Sequence, residues 1–209
     1  VRLAALLAVT ALSLSGCFSG LQSRSPPLQH YLLQLPPPTG TAVAPAHGVA
    51  LQVQLPVAGP GLNSDAIAVL RAGDRLDYFR GVAWGASAPL MVQEMVIEAL
   101  RRDGRFAAVE PEASSFAAPY FLSLELAHFE AQYDDAAVPT VQVALVCTLG
   151  RHSDGTALAS WRAEGRAMAA EDHMQAVIAA FQQATDQALS QLSSITPPSD
   201  TTSGGEATR

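Results

Sequence analysis

His152, Ser153 and Asp154 carry the side-chain types of a base, a nucleophile and an orienting carboxylate. Consecutive residues cannot reach the mutual geometry of a triad, and with Gly155 they spell a turn instead. The other histidines are His30, His47, His128 and His173, and no two stand at metal-ligand spacing on one helix. Asp134-Asp135 offers two carboxylates to a cation, but its surroundings read as a polar loop between strands. Gly59-Pro60-Gly61 lacks the spacing of a phosphate-binding loop, and there is no Gly-x-Ser-x-Gly elbow. Cys147 lies in an apolar, strand-like run, where a free thiol serves as a small hydrophobe. With no Cys-x-x-Cys pair either, the residue types predict no catalytic, metal or cofactor site, and so no enzyme.

Cys17 stands in more specific surroundings. Arg2 is the only charge before it, and an apolar run from Leu3 leads to Leu14-Ser15-Gly16-Cys17. That run is about a dozen residues, short of the ~20 that cross a bilayer as a helix. A basic start, a short apolar segment and small residues describe a secretory signal peptide over residues 1–16. Small residues directly before a cysteine resemble the bacterial lipobox, which implies lipidation of Cys17. Residues 17–29, with Ser25-Pro26-Pro27, then read as a lipidated cysteine and its extended tether. An Asp after the acylated Cys marks many inner-membrane lipoproteins; Phe18 stands here, which favours the outer membrane facing the periplasm.

The elements expected to follow are strands and two helices. Residues 30–35 and 48–55 read as strands, the second alternating through Val49, Leu51, Val53 and Leu55. Residues 66–71 and 76–79 form a hairpin around Gly73-Asp74. Ser87 is placed to cap a helix with Pro89 in its first turn. Met91, Val92, Met95, Val96, Ala99 and Leu100 form its apolar stripe, Gln93 and Glu94 face out, and Gly104 closes it. A short strand at 106–109 and a meander of 120–131, 138–149 and 156–167 come next. A closing helix runs from Met174 to Leu192, with Gln182, Gln183 and Gln187 opposite its stripe. Residues 193–209, rich in Pro, Ser, Thr and Gly, read as a disordered tail. The sum is an α+β domain over 30–192, an antiparallel sheet with two helices packed on one face.

Bulk properties narrow the partners. A net charge of −7 argues against a nucleic-acid surface and against electrostatic docking on anionic lipid. Hydrophobic residues make up 49% of the chain, enough for a packed core.

The ordered pieces resemble one family. They are Tyr31-x-Leu33, Val49-x-Leu51-x-Val53-x-Leu55-Pro56, then Tyr78, Trp84 and Pro89 before a helix. Gly104-Arg105-Phe106, Tyr120-x-Leu122-x-Leu124 and the closing helix continue the likeness, to the ABC-type transport auxiliary lipoproteins, similar to paraquat-inducible protein C. The family often carries Arg before this Trp, and Ala83 stands there instead. The resemblance implies an accessory lipoprotein beside an ABC permease, its ATPase and a mammalian-cell-entry domain protein, moving lipid between membranes. A stand-alone periplasmic lipid-binding lipoprotein is the alternative, with phospholipid as ligand; a homo-oligomer is a candidate assembly. Tyr78, Phe79 and Trp84, in a loop leading into a helix, are either core plugs or a partner-facing patch.

Overall fold

The computed structural model describes residues 27–35, 48–134 and 136–195. The expected signal peptide, Cys17, residues 17–26 of the tether, His47, Asp135 and residues 196–209 of the tail lie outside the described residues. The strands are β1 (Gln29–Tyr31), β2 (Ala50–Val53), β3 (Val57–Ala58), β4 (Ala66–Arg71), β5 (Arg75–Trp84), β6 (Ala108–Pro111), β7 (Tyr120–Tyr133), β8 (Thr140–Arg151) and β9 (Ala157–Met168). The helices are α1 (Ala88–Asp103) and α2 (Met174–Ser190), and a 3-10 turn at Gln191–Ser194 follows α2.

β7 is the spine of the sheet. One of its edges pairs along its length with β8, and β8 with β9, giving the antiparallel meander expected from the alternating runs. The other edge is filled in chain order by β2, β3 and β4, all parallel to β7. β6 then adds parallel to β2, β5 antiparallel to β4, and β1 parallel to β5. The expected antiparallel sheet is therefore corrected to a mixed one. Residues 50–71 run along a single edge of β7 without reversing, so their ladders must be parallel.

One face of this sheet carries the core. Leu122, Leu124 and Leu126 lie in register with Leu149, Cys147 and Leu145, and all are buried. Leu51 and Val53 of β2 fall on the same face, opposite Tyr120 and Leu122, and are fully buried where α1 packs. α2 covers β8 and β9. Gly165 makes that approach feasible: a Cβ there would stand 1.8 Å from the Ala184 carbonyl oxygen. Each large apolar side chain taken fully into this layer contributes ~1.5–3 kcal/mol.

The helix ends differ in detail from the expectation. Ser87 occupies the N-cap position of α1 but makes no side-chain cap; the loop before β4 serves instead, with Ala88 N–H donating to the Ser64 carbonyl at 2.9 Å. Pro89 sits in the first turn and Gly104 closes the helix at φ 70°, as its lack of a Cβ permits. Gln93, expected to face out, is buried and donates through Nε2 to the Val53 carbonyl at 3.0 Å. On α2 the N-cap is His173, whose Nδ1 accepts from Ala176 N–H at 3.2 Å.

The sheet edges are managed by side chains. β1 has three residues, and β6 has four, one of them Pro111. Arg101 Nε donates to the Val109 carbonyl of β6 at 2.9 Å. β9 is the long edge, with twelve residues. Its C-terminal half is met by α2 and the turn after it: Gln187 Oε1 accepts from Arg166 N–H at 3.0 Å and Gln191 Oε1 from Glu164 N–H at 3.2 Å, while Gln191 Nε2 donates to the Glu164 carbonyl at 2.5 Å. Amide side chains thus occupy hydrogen-bonding positions that an incoming strand would use.

Candidate functional site

The three aromatics singled out in the sequence lie on one strand, not in a loop. Gly81, at φ 73°, lets β5 bulge and continue to Trp84. The bulge separates their fates. Trp84 takes the core alternative: it is 1% exposed, packed edge-on against Phe181 at 5.0 Å and tilted against Phe129 at 5.5 Å. Its indole N–H is buried and meets no hydrogen-bond acceptor among the described residues, so the ring is positioned by packing and not by a hydrogen bond of its own. Phe79 is partly buried against the same core.

Tyr78 is the one that faces solvent, 39% exposed. Its hydroxyl donates to the Gly61 carbonyl at 3.2 Å and holds the loop over residues 59–65 against β5. Leu76, also on β5 and 42% exposed, fits beneath that loop; a Cβ on Gly61 would strike its Cδ2. Leu76 and Tyr78 thus both meet Gly61, in a loop whose far end is tied to β5 where Trp84 N–H donates to the Asp65 carbonyl at 2.7 Å. A preformed surface of this kind suits protein contact better than chemistry.

The polar candidates are accounted for by structure. Asp154 accepts from Thr156 N–H at 3.0 Å and pairs with Arg151 at 3.0 Å, and the Thr156 hydrogen bond, above all, lowers its pKa. His152 turns away to Gln52, 3.1 Å from its Oε1, with its ring against Phe121. Glu130, 4% exposed, is the buried carboxylate that sequence reasoning missed. A bulge between Leu126 and His128 breaks the β7–β8 ladder, and Glu130 Oε2 accepts the Phe129 N–H at 2.7 Å. Its Oε1 lies 2.8 Å from His128 Nδ1 and accepts from Gln132 Nε2 at 2.9 Å. The carboxylate satisfies a backbone donor in the gap between the ladder of β3, which ends at Leu126, and that of β4, which begins at Glu130.

Cys147 is buried and its thiol is pushed up to about 12 by desolvation, so it is no nucleophile. A cavity of about 280 Å³ opens between the end of α1 and β6, lined by Arg101, Phe106 and Glu110; its cation and anion pair with each other at 3.2 Å. Among the described residues no group of three or more His, Cys, Asp or Glu is placed to hold a metal ion. Nor, among them, is any helix long and apolar enough to cross a membrane.

Residues 31–193 match the family described as the ABC-type transport auxiliary lipoprotein component. Among solved structures, the chain is similar to protein XCC0632 from Xanthomonas campestris, at 25% identity and a TM-score of 0.66, covering 79% of this chain and 91% of that one. An uncharacterized protein of known crystal structure shares the fold at 11% identity and a TM-score of 0.62, covering 80% and 97%. No curated protein matches the chain.

Proposed function

This chain belongs to the family of ABC-type transport auxiliary lipoprotein components, and we propose that it is the accessory subunit of a mammalian-cell-entry-type lipid transport system. The observation that carries this reading is the family match, which spans β1 to the turn after α2. In the proposed arrangement Cys17 is acylated and holds the chain at the outer membrane, facing the periplasm. Acyl chains at ~0.8 kcal/mol per buried methylene give stable anchoring once two or more are attached. The domain contributes docking rather than catalysis. Tyr78 and Leu76, fixed by the loop over 59–65, are its contact surface for the transporter. The stand-alone lipid carrier finds no support in the interior, because the layer between sheet and helices is filled by side chains such as Trp84, Leu124 and Phe181.

The proposal is tested by purifying the detergent-solubilised chain from its native membrane after crosslinking. Recovery of the mammalian-cell-entry protein and the ABC permease is the expected result, with Tyr78→Ala reducing it several-fold. Repeated recovery of the chain without either protein overturns the proposal.

A further inference from the structure

The described chain enters the fold at an edge of the sheet. β1 pairs with β5, Gln29 to Tyr31 against Val82 to Trp84, and Gly85 N–H extends that pairing to the Tyr31 carbonyl at 2.8 Å. On either side of this short strand stands an exposed leucine, Leu28 at 49% and Leu32 at 61%. Gly85 gives Leu32 its seat: a Cβ there would stand 2.4 Å from the Leu32 Cδ2. Beyond Gly85, the first turn of α1 presents Leu90, also exposed. Residues 27–35 and 81–93 contain no Asp, Glu, Lys or Arg, although the whole chain carries a net charge of −7. Arg80 comes just before the second stretch and Glu94 just after it, one turn along α1 from Leu90; both are exposed. The loop over 59–65 brings one acid to this corner, Asp65, whose carbonyl accepts the Trp84 N–H. Exposed apolar residues elsewhere stand among charges: Val57 lies in register with Glu125, and Met168 follows Arg166 on one face of β9.

The length of chain before β1 decides what this corner meets. From Cys17 to Leu28 the chain advances 28 − 17 = 11 residues, a reach of at most ~40 Å when fully extended. A domain of this size is itself about 40 Å across, so a path from Leu28 around to its opposite side is on the order of 50 Å. A membrane that holds Cys17 therefore cannot lie against the side opposite β1, and the sides around β1 are the ones it can reach. We infer that Leu28, Leu32 and Leu90 rest on the lipid bilayer, so that the corner where β1 meets β5 and α1 is the membrane-facing part of the domain. The inference rests on the acylation of Cys17 proposed above. A neutral corner approaches anionic headgroups without the repulsion that the acidic remainder of the surface meets, and Arg80 at its border is attracted to them. Each leucine gains by leaving water. Three side chains are too few to hold the domain alone: the acyl chains anchor it, and the leucines set which side turns to the membrane.

The test reconstitutes the full chain, purified from membranes, into vesicles of phosphatidylethanolamine and phosphatidylglycerol, with and without a doxyl-labelled phospholipid. Leu28→Cys, Leu32→Cys and Ser153→Cys are each labelled with bimane; Cys147 is buried and does not compete. Ser153 follows β8, four strand spacings or ~19 Å across the sheet from β1, and serves as the distant reference. The chain is expected to float with the vesicles, and doxyl lipid to quench bimane at positions 28 and 32 several-fold more than at 153. Adding Leu32→Asp to the Leu28→Cys chain should at least halve the quenching at position 28 and leave flotation unchanged. A chain that floats without quenching at 28 and 32, or with equal quenching at 153, overturns this inference and leaves the anchor standing. Quenching at 28 that Leu32→Asp does not lower overturns it as well. A chain that does not float overturns the anchoring reading, and this inference with it.

Discussion

Gly165 and Glu130 show how much hangs on single atoms here. A methyl at Gly165 would overlap the backbone of α2, not a movable side chain, so Gly165→Ala must push the helix away from β9. Overpacking of this kind costs ~1–3 kcal/mol or more, and thermal unfolding should show a clear drop in midpoint. Glu130→Ala leaves the buried Phe129 N–H without its acceptor, at a cost of about 1–3 kcal/mol; Glu130→Gln keeps an acceptor and should cost less. Cys147 should resist alkylation at neutral pH in the native chain and react only on unfolding, as peptide mapping would show. Its raised value also sets a pH response. The thiol moves from 9.0 to about 12 by burial. Tyr133 moves from 10.0 to about 12, first by burial and then by its hydrogen bond to Asp172. Both groups are neutral when protonated, and the folded state binds those protons more tightly. Their contribution is complete below about pH 9 and is lost as pH rises toward about 12, so denaturant midpoints should fall across that window. Cys147→Ala should flatten the early part of the fall.

The strands and helices are largely legible from period alone, while their partners are not. Alternation in 48–55, 120–131 and 138–149 marks strands, and the two helical stripes lie where their spacing puts them. Alternation does not distinguish a parallel from an antiparallel neighbour, because either ladder buries every second residue. The parallel run of β2, β3 and β4 beside β7 is therefore visible only in the structure. In sequence Trp84 reads as a loop residue because Gly81 breaks the pattern of β5, whereas that glycine lets the strand bulge and continue. Polar residues hide their roles for a related reason: composition shows that Gln93, Gln187 and Gln191 are hydrophilic, not that each finds a backbone group. The candidate site is legible in part. Tyr78 is exposed as a contact residue requires, but the loop over 59–65 that holds it carries no distinguishing signal. The glutamines make an element-level prediction. The double variant Gln187→Ala, Gln191→Ala loses about 1 kcal/mol per net hydrogen bond. It also uncovers the C-terminal half of β9, so light scattering should report self-association at concentrations where the unaltered chain shows less.

At the scale of the molecule, the anchor and the domain should separate cleanly. Cys17→Ser is expected to leave the chain folded by circular dichroism and to shift it from the membrane to the soluble fraction; retention in the membrane would contradict anchoring through that residue. The domain's own architecture has a consequence in time. β2, β3 and β4 each pair with β7 across about 60 to 70 residues of chain, and such ladders close slowly because loop entropy is spent before any contact forms. As the chain is synthesised, the strands before α1 lack their main partner until residues 120–133 have been made. Until then Leu51, Val53, Ile67 and Val69, all fully buried at the end, lack the central strand that completes their core. The growing protein must therefore pass through a stage in which β1, β4 and β5 can pair with one another and β2 with β6, while the strand that joins the two groups is missing. A stop or a delay just before β7 should be the most aggregation-prone point in its biogenesis.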